Sequence, residues 1–464
     1  MRVSRRGRAS RLTPTLGGDG RDTEVHHLVP DLADPFHPWD GRVPCRGRCF
    51  RLRVAVILLS CTVAATACGG SGHGAPAAAP ATSAVVAGSS SAPHVPSSMP
   101  PPPSVPPPPA PPAPPDCAAA QLAVMPARAR AGQLFLLGVP ANALGGVEQQ
   151  VTADGPAGVF LTGHATVGTA ALARQTAELQ RVATAASGGS GVFLATDQEG
   201  GQVQVLTGPG FSDIPPATVQ GTWTPGRLQA AATGWGHELR AAGINVDLAP
   251  VADVLSPALG TANAPIGQYG RAFGTDPQTV SQHVAAFVRG MQAAGVISTV
   301  KHFPGLGRVR GNTDYSSGVI DSQTTPTDPN LQTFTDGVAA GASWLMVSTA
   351  DYPAIDPSGP GVFSPVVLHL ARQRVGPGGL IVSDDLGHAA QVASVPPGAR
   401  AVGFIKAGGD LVLTANPTTL PTMIDALLDA AHDPTFAAQL NAAELRVTQA
   451  KAAAGLLPCR TPGK

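Results

Sequence analysis

The sequence predicts an α/β protein whose catalytic part is a single (β/α)8 TIM barrel over residues 117–464, and three observations carry that prediction. Eight short apolar runs recur along this stretch, a helical pattern follows each, and polar residues gather where the runs end. Buried parallel strands read as continuous apolar runs, and their alternation with helices implies βαβ units. Eight units fit a closed barrel better than an open sheet, and in a barrel the chemistry sits at the C-terminal ends of the strands.

In order, the runs are QLFLLGV (133–139), AGVFLTG (157–163), GVFLATD (191–197), INVDLAPV (244–251), ISTVKHF (297–303), SWLMVST (343–349), GLIVSDD (379–385) and GDLVLTA (409–415). The helix between the fourth and fifth is the most explicit. Asp276 and Pro277 supply its N-cap and first residue, and Val280, Val284, Phe287, Val288 and Met291 mark one face at helical spacing. Gly295 then ends it. The polar residues at the strand ends are Asp197, Asp253, Lys301, His302, Ser348, Asp384 and Asp385.

Three segments precede the barrel. Residues 1–45 are too long and too mixed for the start of an export signal, and read as an upstream extension outside the fold. Residues 46–67 read as a signal peptide: Arg46, Arg48, Arg51 and Arg53, then the apolar stretch LRVAVILLSCTVAATA, ending in small residues. At about 16 residues the stretch is short for a membrane span. Cys68 follows at once, as in a bacterial lipobox, where that cysteine is diacylated and begins the mature protein; Ala65 stands where Leu is usual. An ordinary cysteine near a signal cut is the alternative.

Residues 68–116 are rich in Ala, Ser, Gly and Pro and bury too little apolar surface to fold. Extended at ~3.1 Å per residue, this tether spans on the order of 100 Å, which suits a domain held off a membrane within a wall. A Pro-rich ligand for a partner module is the other reading. Together these segments predict export to the outer face of the cytoplasmic membrane, with lipid as the only membrane attachment, and a monomer.

Of the six cysteines, only Cys117 and Cys459 remain for pairing after a cut before Cys68. They bracket the barrel, whose ends lie near each other, so a disulfide is expected, with two free thiols as the alternative. No CxxC or Cys/His cluster points to a metal. Thirty basic against thirty acidic residues leave no basic field for nucleic acid.

Asp384 and Asp385 end the seventh run; one is expected to cap the following helix and the other to face the barrel mouth. A carboxylate there is what a glycosidase needs to meet an oxocarbenium-like centre. Lys301 and His302 end the fifth run, and strand alternation lets only one point into the pocket unless the chain kinks at Phe303-Pro304-Gly305. Either can donate to sugar hydroxyls; a Lys paired with a nearby carboxylate is the bland reading. Asp197 ends the third run in ATDQEGGQV, where Gly200 and Gly201 would let backbone approach a ligand. Arg271, in YGRAFGTDP, is a candidate donor or else a surface arginine near a helix end.

In this order, DQEGG, LAPVADV, GRAFGTDP, KHFPG, SDDL and IKAGGDLVL closely resemble glycoside hydrolase family 3, and within it the single-domain bacterial β-N-acetylglucosaminidases (NagZ-like) that process peptidoglycan sugars. The resemblance runs from about Gln133 to Asn416. It implies a retaining β-glycosidase without metal or organic cofactor, with Asp384 as the nucleophile. Asp197 would grip sugar hydroxyls in the −1 subsite, and Arg271, Lys301 and His302 would hold the same sugar.

One loop departs from the pattern. The family branch reads KHFPGHG followed by Asp-Ser-His, whose histidine is the acid/base; here KHFPGLGRVRGNTDYSSG has Leu306 for the first histidine and Asn312-Thr313-Asp314 for the dyad. Asp314 is the expected acid/base, needing a raised pKa from desolvation or from Asp384. Asn312 could hydrogen-bond its carboxyl group. A proton from His388, or loss of turnover, are the other accounts. Gln202 also replaces an arginine common after the two glycines, which weakens the case for N-acetylglucosamine relative to β-glycosidase in general. The expected activity is removal of terminal β-linked sugars, N-acetylglucosamine foremost, from cell-wall fragments. The rival is a glycan-binding lipoprotein without turnover.

Overall fold

A computed structural model of the protein describes residues 116–459; the upstream extension, the signal segment, Cys68 and the linker up to residue 115 lie outside the described residues. Each of the eight apolar runs contains a strand: β1 Phe135–Pro140, β2 Gly158–Thr162, β3 Phe193–Thr196, β4 Val246–Asp247, β5 Ile297–Phe303, β6 Trp344–Val347, β7 Leu380–Ser383 and β8 Val412–Thr414. Their pairings are parallel and sequential, β8 returns to β1 through Phe135↔Val412, and a parallel bridge Val382↔Leu411 joins β7 to β8. The sheet is a closed (β/α)8 barrel.

A closed parallel sheet has side chains inside and helices outside, so both faces of each strand are dry. This is why the runs are apolar throughout rather than alternating. Phe193 and Trp344 meet edge to face at 4.9 Å between ring centroids. Outside, the helix Pro277–Ala293 is capped by Asp276, which accepts from the Thr279 N–H, and buries Val280, Val284, Phe287, Val288 and Met291. Each such side chain contributes roughly 1.5–3 kcal/mol by leaving water. Gly295 turns the chain into β5 at φ 76°, a left-handed conformation that favours glycine.

A second, smaller apolar cluster lies apart from the main core. It joins Leu306, Val309 and Val319 of the loop after β5 to Val251, Ile266, Ala272, Ala350 and Tyr352. Leu306, the residue that departs from the family pattern, is therefore an anchor of that loop.

The chain ends are joined. The helix Cys117–Val124 lies against the terminal helix Pro434–Ala453, and a disulfide links Cys117 to Cys459, 342 residues apart with Cα atoms 5.8 Å apart.

Two local expectations need correction. Asp385 caps no helix: it accepts from the Gly387, His388 and Ala415 N–H groups, closing a turn and tying it to the end of β8, and the next α-helix begins only at Pro397. His388 sits in that turn, and its N–H donates to Asp385. Gly200 and Gly201, both at positive φ, close against the chain itself: a Cβ on Gly200 would lie 2.5 Å from Ile214 Cγ2, and one on Gly201 2.7 Å from Pro216 Cβ.

Candidate active site

Asp197, Arg271, Lys301 and His302 converge at the C-terminal mouth of the barrel. Strand alternation allowed only one of Lys301 and His302 to face it, but both do. The β5–β6 register shifts between Val300 and Phe303, so alternation does not hold across the last residues of β5, and the Lys301–His302 peptide is cis.

Lys301 is buried, and its Nζ donates to Asp197 Oδ1 at 2.5 Å and lies 2.6 Å from Glu199 Oε1. Burial disfavours its charge, but Asp197 and Glu199 outweigh that and hold the ammonium above its ordinary pKa. Glu199 also takes both arms of Arg271, Nε at 2.8 Å and Nη2 at 2.7 Å, in the fork geometry that guanidinium and carboxylate share. Burial opposes the Glu199 charge as well, yet Arg271 and Lys301 bring its carboxyl down to about 2.

His302 is fastened from the other side. Its Nδ1 donates to Asp253 Oδ2 at 2.9 Å, while Arg271 Nη2 donates toward its Nε2 at 3.4 Å, a network that assigns the proton to Nδ1. Asp253 is fully buried, and its Oδ1 also accepts from the Leu306 N–H at 2.7 Å. The residue that orients His302 thus also fixes the start of the divergent loop.

That loop carries Asp314 to the site. Asn263 Nδ2 donates to the Leu306 and Val309 carbonyls, Arg308 pairs with Asp328, and the Ala390 N–H donates to the Asp314 carbonyl. Asp314 keeps access to solvent, yet surrounding protein desolvates it, and together with Asp384 and Asp385 this pushes its carboxyl up to about 7. Asn312 does not serve that carboxyl as expected: its Oδ1 accepts from the Asp314 backbone N–H at 2.9 Å, closing a turn that shapes the loop. Asp384, half-buried, accepts from the Asp385 N–H at 2.9 Å. Burial raises Asp385 to about 6 against its backbone hydrogen bonds.

Chemically, the strand ends and the loop after β5 bring together the carboxylates Asp384 and Asp314, the second pushed upward by desolvation and by the first, near cations held by anions. Glu199, in ATDQEGGQV, is a site residue that the sequence does not single out. The signal was present: Asp197 and Glu199 are two apart in an extended stretch, and such residues face the same way. Among the described residues, no group of three or more His, Cys, Asp or Glu side chains could hold a metal ion.

Comparison with known proteins bears on the family and the fold. The model described as Glycosyl hydrolase family 3 N terminal domain matches residues 127–450. A beta-hexosaminidase of Stenotrophomonas maltophilia (strain K279a) is 35% identical over 246 residues, covering 51% of this chain and 70% of that protein. The crystal structure of beta-N-acetylhexosaminidase from Beutenbergia cavernae DSM 12333 aligns with a TM-score of 0.67 at 46% identity, over 71% of this chain and 99% of that one. A family 3 beta-N-acetylglucosaminidase from Paenibacillus sp. str. FPU-7 aligns with a TM-score of 0.61 at 27% identity, over 73% of this chain and 65% of that one.

Proposed function

The chain belongs to glycosyl hydrolase family 3, and from that premise we propose a retaining β-N-acetylglucosaminidase that uses Asp384 as nucleophile and Asp314 as acid/base. It is a glycosyl hydrolase of the β-hexosaminidase type, removing terminal N-acetylglucosamine. Asp384 attacks the anomeric carbon as Asp314 gives its proton to the departing oxygen, leaving a covalent glycosyl-enzyme. Asp314 then takes a proton from water, whose oxygen displaces Asp384 and frees the sugar. The observation that carries this reading is the loop after β5, which the Ala390 N–H and Asn312 hold so that Asp314 lies near Asp384, where desolvation and that charge push its carboxyl upward, the direction a general acid requires. It replaces the missing Asp-His pair with one carboxyl group.

In this reading Asp197, Lys301, His302 and Arg271 hold the sugar in the −1 subsite, and cell-wall fragments are the source of substrate. The export signal, with Cys68 as lipid attachment, supports a place outside the cytoplasmic membrane. Partition of the full chain into detergent, abolished by Cys68→Ala, is the expected result; equal partition of both forms rejects the anchor.

The decisive experiment incubates the full chain with a fluorinated, activated β-N-acetylglucosaminide and follows intact mass. The expected adduct maps to Asp384 and is absent in Asp384→Asn. An adduct on another residue overturns Asp384 as the nucleophile; no adduct while sugar still binds favours the non-catalytic glycan-binding reading.

A further inference from the structure

We infer that Glu199 is the positioning residue of the sugar site: it sets the direction of Lys301 and Arg271 without touching the reacting atoms. This rests on the reading of Lys301 and Arg271 as holders of the sugar. Glu199 sits in a short hairpin, Gln198–Gly200 against Val203–Gln204, and is buried. Its Oε1 is 2.7 Å from Arg271 Nη2 and 2.6 Å from Lys301 Nζ, and its Oε2 accepts from Arg271 Nε at 2.8 Å.

Counting donors gives the consequence. An ammonium has three N–H groups, and Asp197 and Glu199 face two of them. A guanidinium has five: Glu199 takes two, the Pro265 carbonyl one at 2.8 Å, and His302 Nε2 one at 3.4 Å. One N–H on each cation is left for a sugar hydroxyl, and the bonds to Glu199 determine where those two point.

The hairpin is itself fixed. Gln220 Nε2 donates to the Glu199 carbonyl, the Gln198 N–H donates to buried Asp247, and Gly200 fits against Ile214 and Pro215 with no room for a side chain. Neither Asp314 nor Asp384 bonds to Glu199 among the contacts described, and its charge is not among the leading influences on Asp314. Arg271 and Asp197 do reach the Asp314 carboxyl electrostatically, but behind its desolvation and the Asp384 and Asp385 charges, so Glu199 acts on the two catalytic carboxylates only indirectly.

The test uses the full chain, N-acetylglucosamine in calorimetry, and turnover of an activated aryl β-N-acetylglucosaminide. Glu199→Gln keeps the shape but turns an N–H₂ toward cations that need an acceptor. The expected result is weaker sugar binding and a KM raised about tenfold or more, with kcat changed no more than a few-fold. The alkaline limb of binding should also move to lower pH, because Lys301 loses one of the two carboxylates that hold its proton. Glu199→Asp, which keeps the charge on a shorter arm, should restore that limb but only part of the affinity.

Unchanged binding and an unchanged alkaline limb in Glu199→Gln overturn the inference, as does a kcat collapse at constant KM. If Glu199→Gln does not fold, Glu199→Asp decides alone: weakened binding with the limb in place supports the role, and wild-type affinity rejects it. A wild-type chain that neither binds nor cleaves the sugar removes the proposed function as well, an outcome distinct from all of these.

Discussion

At the scale of single residues, the site works by separating the tasks of groups that share a charge. Glu199 lies between two cations and is held at about 2, whereas Asp314 lies in a field of carboxylates and is raised to about 7. The first is a fixed anion; the second is the proton carrier of the proposed mechanism. Because that mechanism needs Asp314 protonated when substrate arrives, kcat/KM should fall as pH rises through about 7, measured with a substrate whose leaving group is poor. Asp314→Ala should cost about 10²–10⁴-fold on that substrate and far less on one with an activated leaving group, where protonation is not needed. Equal losses on both would remove Asp314 from the acid/base role. The sequence names Asp314 as a candidate acid and asks for a raised pKa, but the opposite shifts of Glu199 and Asp314 are not visible along the chain. Desolvation and Coulomb interaction with neighbours far away in the chain set them.

At the scale of elements, the loop after β5 carries Asp314, and its packing holds it in place. Leu306 is buried in the second cluster with Val309 and Val319, while Asp253 and Asn263 hold the loop backbone from below. The replacement of a histidine by Leu306 thus puts a hydrophobic anchor beneath the loop that bears Asp314. Leu306→Ala should leave a cavity costing about 2–5 kcal/mol of local packing. We expect kcat on natural glycosides to fall while KM changes little, because the acid is displaced and the sugar-holding cations are not. Steady-state kinetics check this; a change in KM alone would contradict it. The eight strands were readable because a strand buried on both faces leaves an unbroken apolar run. The break in alternation at Lys301 and His302 was not, since it lies in how β5 pairs with β6.

At the scale of the whole molecule, the disulfide Cys117–Cys459 closes nearly the entire barrel into one loop. A crosslink over so long a loop restricts the unfolded chain strongly, and a contribution of about 2–4 kcal/mol follows. Replacing both cysteines with serine should lower Tm by roughly 3–6 °C, measured by calorimetry, and leave kcat unchanged, because the bridge joins the outer terminal segments and not the site. A loss of activity at full folding would show that the ends of the chain reach the site.

By itself the sequence determined the eight-fold alternation of strand and helix, the chain positions where chemistry collects, and the family motifs that name Asp384, Asp197 and Arg271. These are matters of pattern along the chain, which burial imposes directly on residue type. Only the tertiary structure decided that Glu199 binds both cations, that Asp385 closes a turn rather than capping a helix, that the two glycines pack on the chain itself, and which groups push the Asp314 carboxyl upward. Each of these depends on distances between segments remote in sequence, and electrostatic and packing energies are set by such distances rather than by order along the chain.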